Sequence, residues 1–357
     1  MTIRKHLSAL VICLLTVFAL GCLLPVTALA AAPSGQVIYV GDEAVTSDGY
    51  WTTDDNGHVT AYSGGGAPTD NYIHYDAADN TLTLHNATIK ESVPSDTSTY
   101  VEGAAIGVFN QNGAAELTIQ LEGTNTIAEV SAGIYVLAFS NSTGDASLTI
   151  TGDGSLDASG SYSPAIRVQS NGGNATLSIE NAKVTATASS SGYGVLVQSK
   201  NDSSVSLTVD GGSLTATGSG NDGAGIQLLF GSGDSGSGTP SLTVSGNSIV
   251  RANGGISDNS SADIQIGTDS SGNTGGIVWD GKDGTVYGSV TLQEDLEIGE
   301  GESLKLDSGA TLNAGSHNVI VDGGTVDDGI KNSLGDSVKY APSITTTNLP
   351  NGTVGTP

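Results

Sequence analysis

An internal repeat of about 30 residues is the feature that most constrains this chain, because a fixed period of this length is typical of repeat architectures. An apolar-Thr-apolar motif and a motif of a small residue followed by apolar-x-apolar alternate along the chain. The first occurs as Leu82-Thr83-Leu84, Leu117-Thr118-Ile119, Leu148-Thr149-Ile150, Leu177-Ser178-Ile179, Leu207-Thr208-Val209 and Leu242-Thr243-Val244. The second occurs at residues 105–108, 133–136, 165–168, 194–197 and 225–228.

A third apolar position follows the first motif in each repeat, at Ile127, Leu156, Val184, Leu214 and Ile249. Three short alternating segments joined by Gly, Asn, Ser and Asp predict three strands per repeat and no helix. Equivalent strands would stack in parallel about 4.8 Å apart. The sequence therefore predicts an all-β fold, a right-handed parallel β-helix (β-solenoid) of about 30 residues and three strands per coil, since the left-handed hexapeptide type has a shorter period.

The segments outside the repeat predict the domain organisation. Residues 1–30 have a positive start, an apolar run and the cleavage site Ala28-Leu29-Ala30, which indicate a signal peptide. A membrane anchor and lipidation at Cys22 are the alternatives. Residues 31–80 hold six of the 17 aromatic side chains and predict a strand-rich N-terminal β cap. Residues 81–335 predict the β-helix, and residues 336–357 predict a linker followed by the start of another module.

Composition excludes several classes of function. The chain has 37 acidic residues and 11 basic ones, and loss of residues 1–30, with Arg4 and Lys5, leaves 9 basic residues and a net charge of −28. Such a surface repels phosphate backbones and anionic lipid, so we expect no nucleic-acid partner and no membrane insertion after signal removal. Both cysteines, Cys13 and Cys22, lie in the predicted signal peptide, so we expect no disulfide in the exported chain.

No catalytic or metal motif stands out. Asp54-Asp55 and Asp327-Asp328 are the adjacent aspartate pairs, and both are expected to lie in solvated turns rather than to catalyse. The four histidines of the exported chain, which are His58, His74, His85 and His317, lack metal-ligand spacing. We expect no cofactor, although oxygen-rich turns such as residues 54–57, or Asp263 with Asp269, could hold a weak structural Ca²⁺.

Two outward faces differ in their side chains. The Thr of the first motif forms a monotonous ladder, which is expected to be a hydrated face. The second motif presents aromatic, amide and guanidinium groups, and these suit a sugar because rings stack on pyranose faces while amides and Arg bind hydroxyls. The candidate ligand-binding residues are Phe109, Tyr135, Arg167, Gln169, Gln198 and Gln227. The alternative is that loops such as residues 141–145 or 231–238 cover them. Trp51 is expected to be packed rather than exposed.

The stretch from Val37 to about Val326 resembles the β-helical carbohydrate-binding domain-containing cell-surface proteins of gut Gram-positive bacteria, within the pectate-lyase-like superfamily. Tyr50-Trp51, residues 80–87 and residues 299–306 carry the resemblance. It implies a secreted, cell-surface or cell-wall-associated protein that binds a polysaccharide or glycan as an adhesin-like, non-catalytic module. Residues 344–355 resemble the first strand of a bacterial Ig-like repeat. A spacer stalk is the alternative function, and a polysaccharide lyase or glycoside hydrolase is the third.

Overall fold

The computed structural model describes residues 31–97, 99–139, 144–190, 192–201, 203–220, 223–231, 239–258, 265–268 and 274–342. Strands are the predominant regular structure of these residues, which confirms the predicted all-β class. The helical elements among them are one short helix, α1 (Asp328–Leu334), and one 3-10 turn (Gly335–Ser337). None of their helices has the length and apolar character needed to cross a membrane. The predicted signal peptide and the Ig-like segment lie outside the described residues.

The strands follow one another in three groups. The first group is β1 (Gln36–Val40), β2 (Glu43–Val45), β3 (Gly49–Thr53), β4 (Val59–Tyr62) and β5 (Tyr72–Asp76). The second is β6 (Thr81–His85), β7 (Thr88–Ile89), β8 (Ala104–Asn110), β9 (Ala115–Glu122), β10 (Thr124–Ile127), β11 (Ala132–Ala138), β12 (Ala146–Gly152), β13 (Ser155–Gly160), β14 (Ile166–Ser170), β15 (Ala175–Glu180), β16 (Lys183–Ala188), β17 (Val195–Ser199), β18 (Val205–Asp210), β19 (Ser213–Thr217), β20 (Ile226–Phe230), β21 (Ser241–Ser245), β22 (Ser248–Asn253), β23 (Ile256–Asp258) and β24 (Gln265–Thr268). The third is β25 (Gly276–Asp280), β26 (Asp283–Tyr287), β27 (Ser289–Thr291), β28 (Leu296–Ile298), β29 (Ser303–Leu306), β30 (Thr311–Asn313), β31 (Val319–Val321), β32 (Thr325–Val326) and β33 (Val338–Tyr340).

Strands of the second group that are three positions apart along the chain lie side by side. Sheet A contains β8, β11, β14, β17, β20 and β23, sheet B contains β6, β9, β12, β15, β18, β21 and β24, and sheet C contains β7, β10, β13, β16, β19 and β22. Neighbours within each of these runs are parallel. Each repeat thus gives one strand to every sheet, an arrangement consistent with a solenoid-like β-helix.

The register follows the sequence repeat because alternate side chains must be buried. Leu148, Leu177 and Leu207 lie opposite one another in sheet B and are fully buried. Their Thr and Ser neighbours form the predicted outward row. The first repeat differs, because Thr81 rather than Thr83 lies opposite Thr118. A shift of two residues keeps every side chain on the same face, so the burial pattern is preserved.

One position of the third column is polar. The sequence predicts Ile127 there, but Asn125 lies opposite Leu156 and is 1% exposed. The Asn125 side chain accepts a hydrogen bond from the Ala87 backbone N–H at 2.9 Å and donates one to the Glu122 carbonyl at 3.2 Å. Its amide therefore satisfies backbone groups at the corner between two strands, where an apolar side chain could not.

The N-terminal strands close one end of the stack with antiparallel pairs. β1 pairs antiparallel with β8, and β5 pairs antiparallel with β6. β3 and β4 extend this edge of sheet B. Trp51 on β3 is 6% exposed and belongs to the main core, which confirms that it is packed.

The C-terminal strands build a second core on the other face of sheet C. β25 extends sheet C in parallel after β22, and β26 then pairs with it antiparallel. On β25, Val278 joins the main core, whereas Ile277 and Trp279 join the second core. The sequence predicts that these strands simply continue and close the coil, and the change of face is a difference from that prediction. β33 still pairs with β31, so strand stacking extends past residue 335.

Arg251 joins the two cores. Its guanidinium lies 3.9 Å from the ring centroid of Trp279 and its Nη1 donates to Glu302 Oε1 at 2.7 Å. Because the ring and the carboxylate are both largely shielded from water, this contact fixes the second core against the outer side of sheet C.

Candidate functional site

Two neighbouring rows on the outer face of sheet A hold the predicted ligand-binding residues. The first row is Gly107, Tyr135, Arg167, Leu196, Gln227 and Ser257. The second row is Phe109, Leu137, Gln169, Gln198 and Leu229. All six predicted residues are therefore on one face, as the alternation of the second motif predicts. Their exposure differs greatly from one end of the face to the other.

The N-terminal end of this face is covered. Phe109 and Tyr135 are 6% and 9% exposed, and they pack with Val93 and Val101 in a small cluster separate from the main core. At this end the candidate residues are covered, as the alternative in the sequence analysis stated. The covering residues, however, belong to the segment that precedes β8. Residues 141–143 and 232–238 of the two loops named in the sequence analysis lie outside the described residues. Phe109 and Tyr135 are consequently not available for direct contact with a ligand, and neither is the predicted residue Gln169, which is 2% exposed.

Tyr135, Arg167 and Gln169 form one hydrogen-bonded group. The guanidinium of Arg167 lies 4.6 Å from the Tyr135 ring centroid. The Tyr135 hydroxyl donates to Gln169 Oε1 at 3.2 Å, and Arg167 Nη2 donates to the same oxygen. Burial raises the pKa of Tyr135, and the charge of Arg167 offsets part of that rise. The phenol therefore stays protonated near neutral pH, and the group holds Arg167 in place.

The C-terminal end of the face is open. Arg167, Gln198 and Gln227 are half-buried there. A groove of about 530 Å³ adjoins Gln227 and is lined by Tyr193, Gly220, Gly223, Ala224, Gln227, Gly254 and Ser257. The Oε1 atom of Gln227 is buried and has no hydrogen-bond partner within the described part of the chain. The groove thus combines an aromatic ring, an amide and a hydroxyl with glycine backbone, and its volume falls in the usual range of ligand sites.

Tyr193 and Ser257 were not among the predicted site residues, although the sequence carries a signal for both. Ser257 directly follows the short echo Gly255-Ile256 and continues the row of Gln227. Tyr193 stands two residues before β17, in the turn that enters sheet A. Extending the row by one repeat and adding the turns beside it would have found both residues.

The two aspartate pairs have structural roles in turns. Asp54 Oδ1 accepts hydrogen bonds from the backbone N–H groups of Asn56 and His58, both at 2.9 Å, and the bond from His58 is the main cause that lowers the pKa of Asp54. Asp327 caps α1, since its Oδ1 accepts from the Ile330 N–H at 2.7 Å. Within the described ranges no cluster of three or more His, Cys, Asp or Glu could hold a metal ion. Asp263 and Asp269 lie outside those ranges.

His58 pairs with Glu91, and this contact predicts a pH effect. His58 Nδ1 lies 2.5 Å from Glu91 Oε1. The hydrogen bond to Glu91, then the charges of Glu91 and Asp54, raise the pKa of His58 above 6.5. The pairing therefore stabilises the fold fully below pH 6.5 and is lost as the pH rises through the raised pKa. We expect NMR titration of the imidazole to show a midpoint above 6.5, and Glu91→Gln to lower it. A midpoint that Glu91→Gln leaves unchanged would contradict this assignment.

Comparisons of the chain with protein-family models, with curated proteins and with solved structures find no match.

Proposed function

We propose that this chain is a non-catalytic, exported cell-surface module that binds carbohydrate, built as a right-handed parallel β-helix of the carbohydrate-binding, pectate-lyase-like kind. Three parallel sheets with one strand per repeat support the fold. The predicted signal peptide and the resemblance support the location and the ligand class. The binding site proposed is the open end of the outer face of sheet A.

The groove beside Gln227 is the observation that carries the proposal. Tyr193 supplies a ring on which the apolar face of a pyranose can stack. Gln227 supplies an amide, and Ser257 supplies a hydroxyl, both of which exchange hydrogen bonds with sugar hydroxyls. Gly220, Gly223 and Gly254 leave room for a ligand to approach the backbone. A sugar-binding site needs a few polar groups beside an apolar surface, and this groove has both.

A spacer stalk is the second candidate, because the sheets are long. Sheets B and C each contain ten strands. Ten strands at about 4.8 Å spacing span about 43 Å, so the stack would hold neighbouring modules apart. X-ray scattering that shows a rod, together with no binding to any glycan, would favour this candidate over the first.

Binding to a glycan array tests the proposal with two variants and one control. Tyr193→Ala and Gln227→Ala are each expected to weaken binding about tenfold, because each removes about 1–2 kcal/mol of stacking or hydrogen bonding. Tyr340→Ala removes a tyrosine that is 63% exposed elsewhere and should leave binding unchanged. Equal binding by all three variants would remove the groove as the site. Release of unsaturated or reducing sugar ends would instead establish the lyase or hydrolase alternative.

A further inference from the structure

Some of the basic side chains in this acidic protein are neutralised by acids. Four pairs show this, namely Lys90 with Glu129 at 2.8 Å, Lys183 with Glu294 at 3.4 Å, Arg251 with Glu302 at 2.7 Å and Lys331 with Asp328 at 3.2 Å. No ion pair with an acid is formed, in the part of the chain that the structure describes, by Arg167, Lys200, Lys282, Lys305 and Lys339. Among these five, Arg167 and Lys200 lie on the open end of the outer face of sheet A.

The fold holds these two cations on neighbouring strands. Arg167 lies on β14, and Lys200 directly follows β17, which pairs with β14 in parallel. The backbone N–H of Lys200 donates to the Ser170 carbonyl at 2.9 Å, so its position continues the same ladder. Partial burial lowers the pKa of Lys200, and the charge of Arg167 lowers it further. Leu196 lies opposite Arg167, so Lys200 is placed one strand over and four residues further along the strand direction.

Gln198 completes what we term the donor patch, which consists of Arg167, Gln198 and Lys200. Gln198 lies opposite Gln169 and precedes Lys200 by two residues, which places it on the same face. Guanidinium and ammonium groups only donate hydrogen bonds, and an amide can donate two. Two like charges placed together without a counter-charge are unfavourable. An anion with several acceptor oxygens would relieve that repulsion and accept from all three residues.

The charge of the whole protein limits which anion fits. A net charge of −28 on the exported chain repels a densely charged polymer such as a polyuronate. At physiological salt, however, exposed charges more than about 8 Å apart are largely screened from each other. The binding of a single anionic group in contact with the donor patch therefore depends mainly on the charges of the patch. We infer that the donor patch selects glycans that carry an isolated carboxylate or sulfate group, such as a terminal acidic sugar.

This inference rests on the proposed function and specifies its ligand. Arg167 and Gln227 occupy one row and are separated by Leu196 alone. Two strand spacings correspond to about 10 Å, close to the length of a disaccharide. An acidic sugar at the donor patch would thus place its neutral neighbour at the groove beside Gln227.

The test compares four soluble ligands by calorimetry. They are a neutral oligosaccharide, the same oligosaccharide with one terminal sialic acid, the same with one sulfate, and polygalacturonate. We expect at least one of the singly charged forms to bind about tenfold or more tightly than the neutral form. Polygalacturonate should bind far more weakly than the preferred form. Raising the salt from about 0.05 to 0.5 M should weaken the singly charged ligands and leave the neutral one unchanged, whereas polygalacturonate, which the net charge of the protein repels, should not bind more weakly.

Charge-matched variants locate the effect. Arg167→Gln and Lys200→Gln each remove one positive charge from the patch and should reduce the preference for the charged ligand about fivefold or more. Lys339→Gln removes one positive charge from the exposed C-terminal strand β33 and should retain the preference. Equal affinity for neutral and charged forms would overturn this inference alone. Absence of binding to every oligosaccharide would overturn the proposed function together with it.

Discussion

Replacing Leu177 by alanine is expected to lower the free energy of unfolding by about 2–5 kcal/mol. Leu177 is fully buried in the middle of sheet B, between Leu148 and Leu207. The strands on both sides are fixed by parallel ladders, so the surroundings cannot collapse into the space that the side chain leaves. The cost should therefore lie toward the upper end of this range.

Urea unfolding followed by circular dichroism measures this effect, and Ser178→Ala is its matched control. Ser178 is the next residue on the same strand and faces outward. Because it fills no part of the core, its loss should change the free energy by less than about 0.5 kcal/mol. Similar destabilisation by both variants would contradict the assignment of the two faces. In a stack of repeats each unit is stabilised by its neighbours, so the whole transition should shift rather than one step of it.

Replacing Gly194 by alanine is expected to destabilise the protein by about 1–3 kcal/mol, the usual cost of overpacking. A Cβ at this position would lie 2.6 Å from the Thr217 backbone nitrogen and 2.7 Å from the Ala186 carbonyl oxygen. Both atoms belong to strands of sheet C, so neither can move without disturbing a ladder. The backbone of sheet A therefore needs a residue without a side chain here.

Gly65→Ala is the control for this variant, because a Cβ at Gly65 would meet nothing within 4 Å. Its thermal transition should match that of the wild type, while Gly194→Ala should melt several degrees lower. The comparison also tests whether alanine is tolerated at this position of every repeat, since Ala105 and Ala165 occupy the equivalent position in other repeats. An unchanged transition for Gly194→Ala would show that the repeats accept alanine interchangeably.

Much of the fold was predictable because one period controls it. Inward residues repeat with the strand, so Leu148, Leu177 and Leu207 had to form one column once parallel stacking was assumed. The second core was not predictable in this way. Ile249 and Val250 are adjacent and both apolar, so alternation could not tell which one faces the main core. The structure places Val250 there and Ile249 against the second core.

The sequence predicted which residues of the candidate site share a face, but it did not predict which of them are exposed. The alternation of the second motif predicted that Tyr135 and Arg167 share a face, and they do. It could not predict that Val93 and Val101 cover Tyr135, because these residues belong to a segment without a repeat. Whether an outward residue is buried depends on non-repeating segments that pack over the face. The periodic pattern of the repeat contains no information about those segments.

The antiparallel pairs at the N-terminal end bear on self-assembly. An open parallel stack offers unpaired backbone to a second copy, as the end of a fibril does. In sheets A and B, β1 and β5 run opposite to β8 and β6, so the repeats of another copy could not continue these two parallel stacks at that end. Two of the three sheets thus lack a parallel template at the first repeat, which disfavours filament growth from that end when the protein is present at high density.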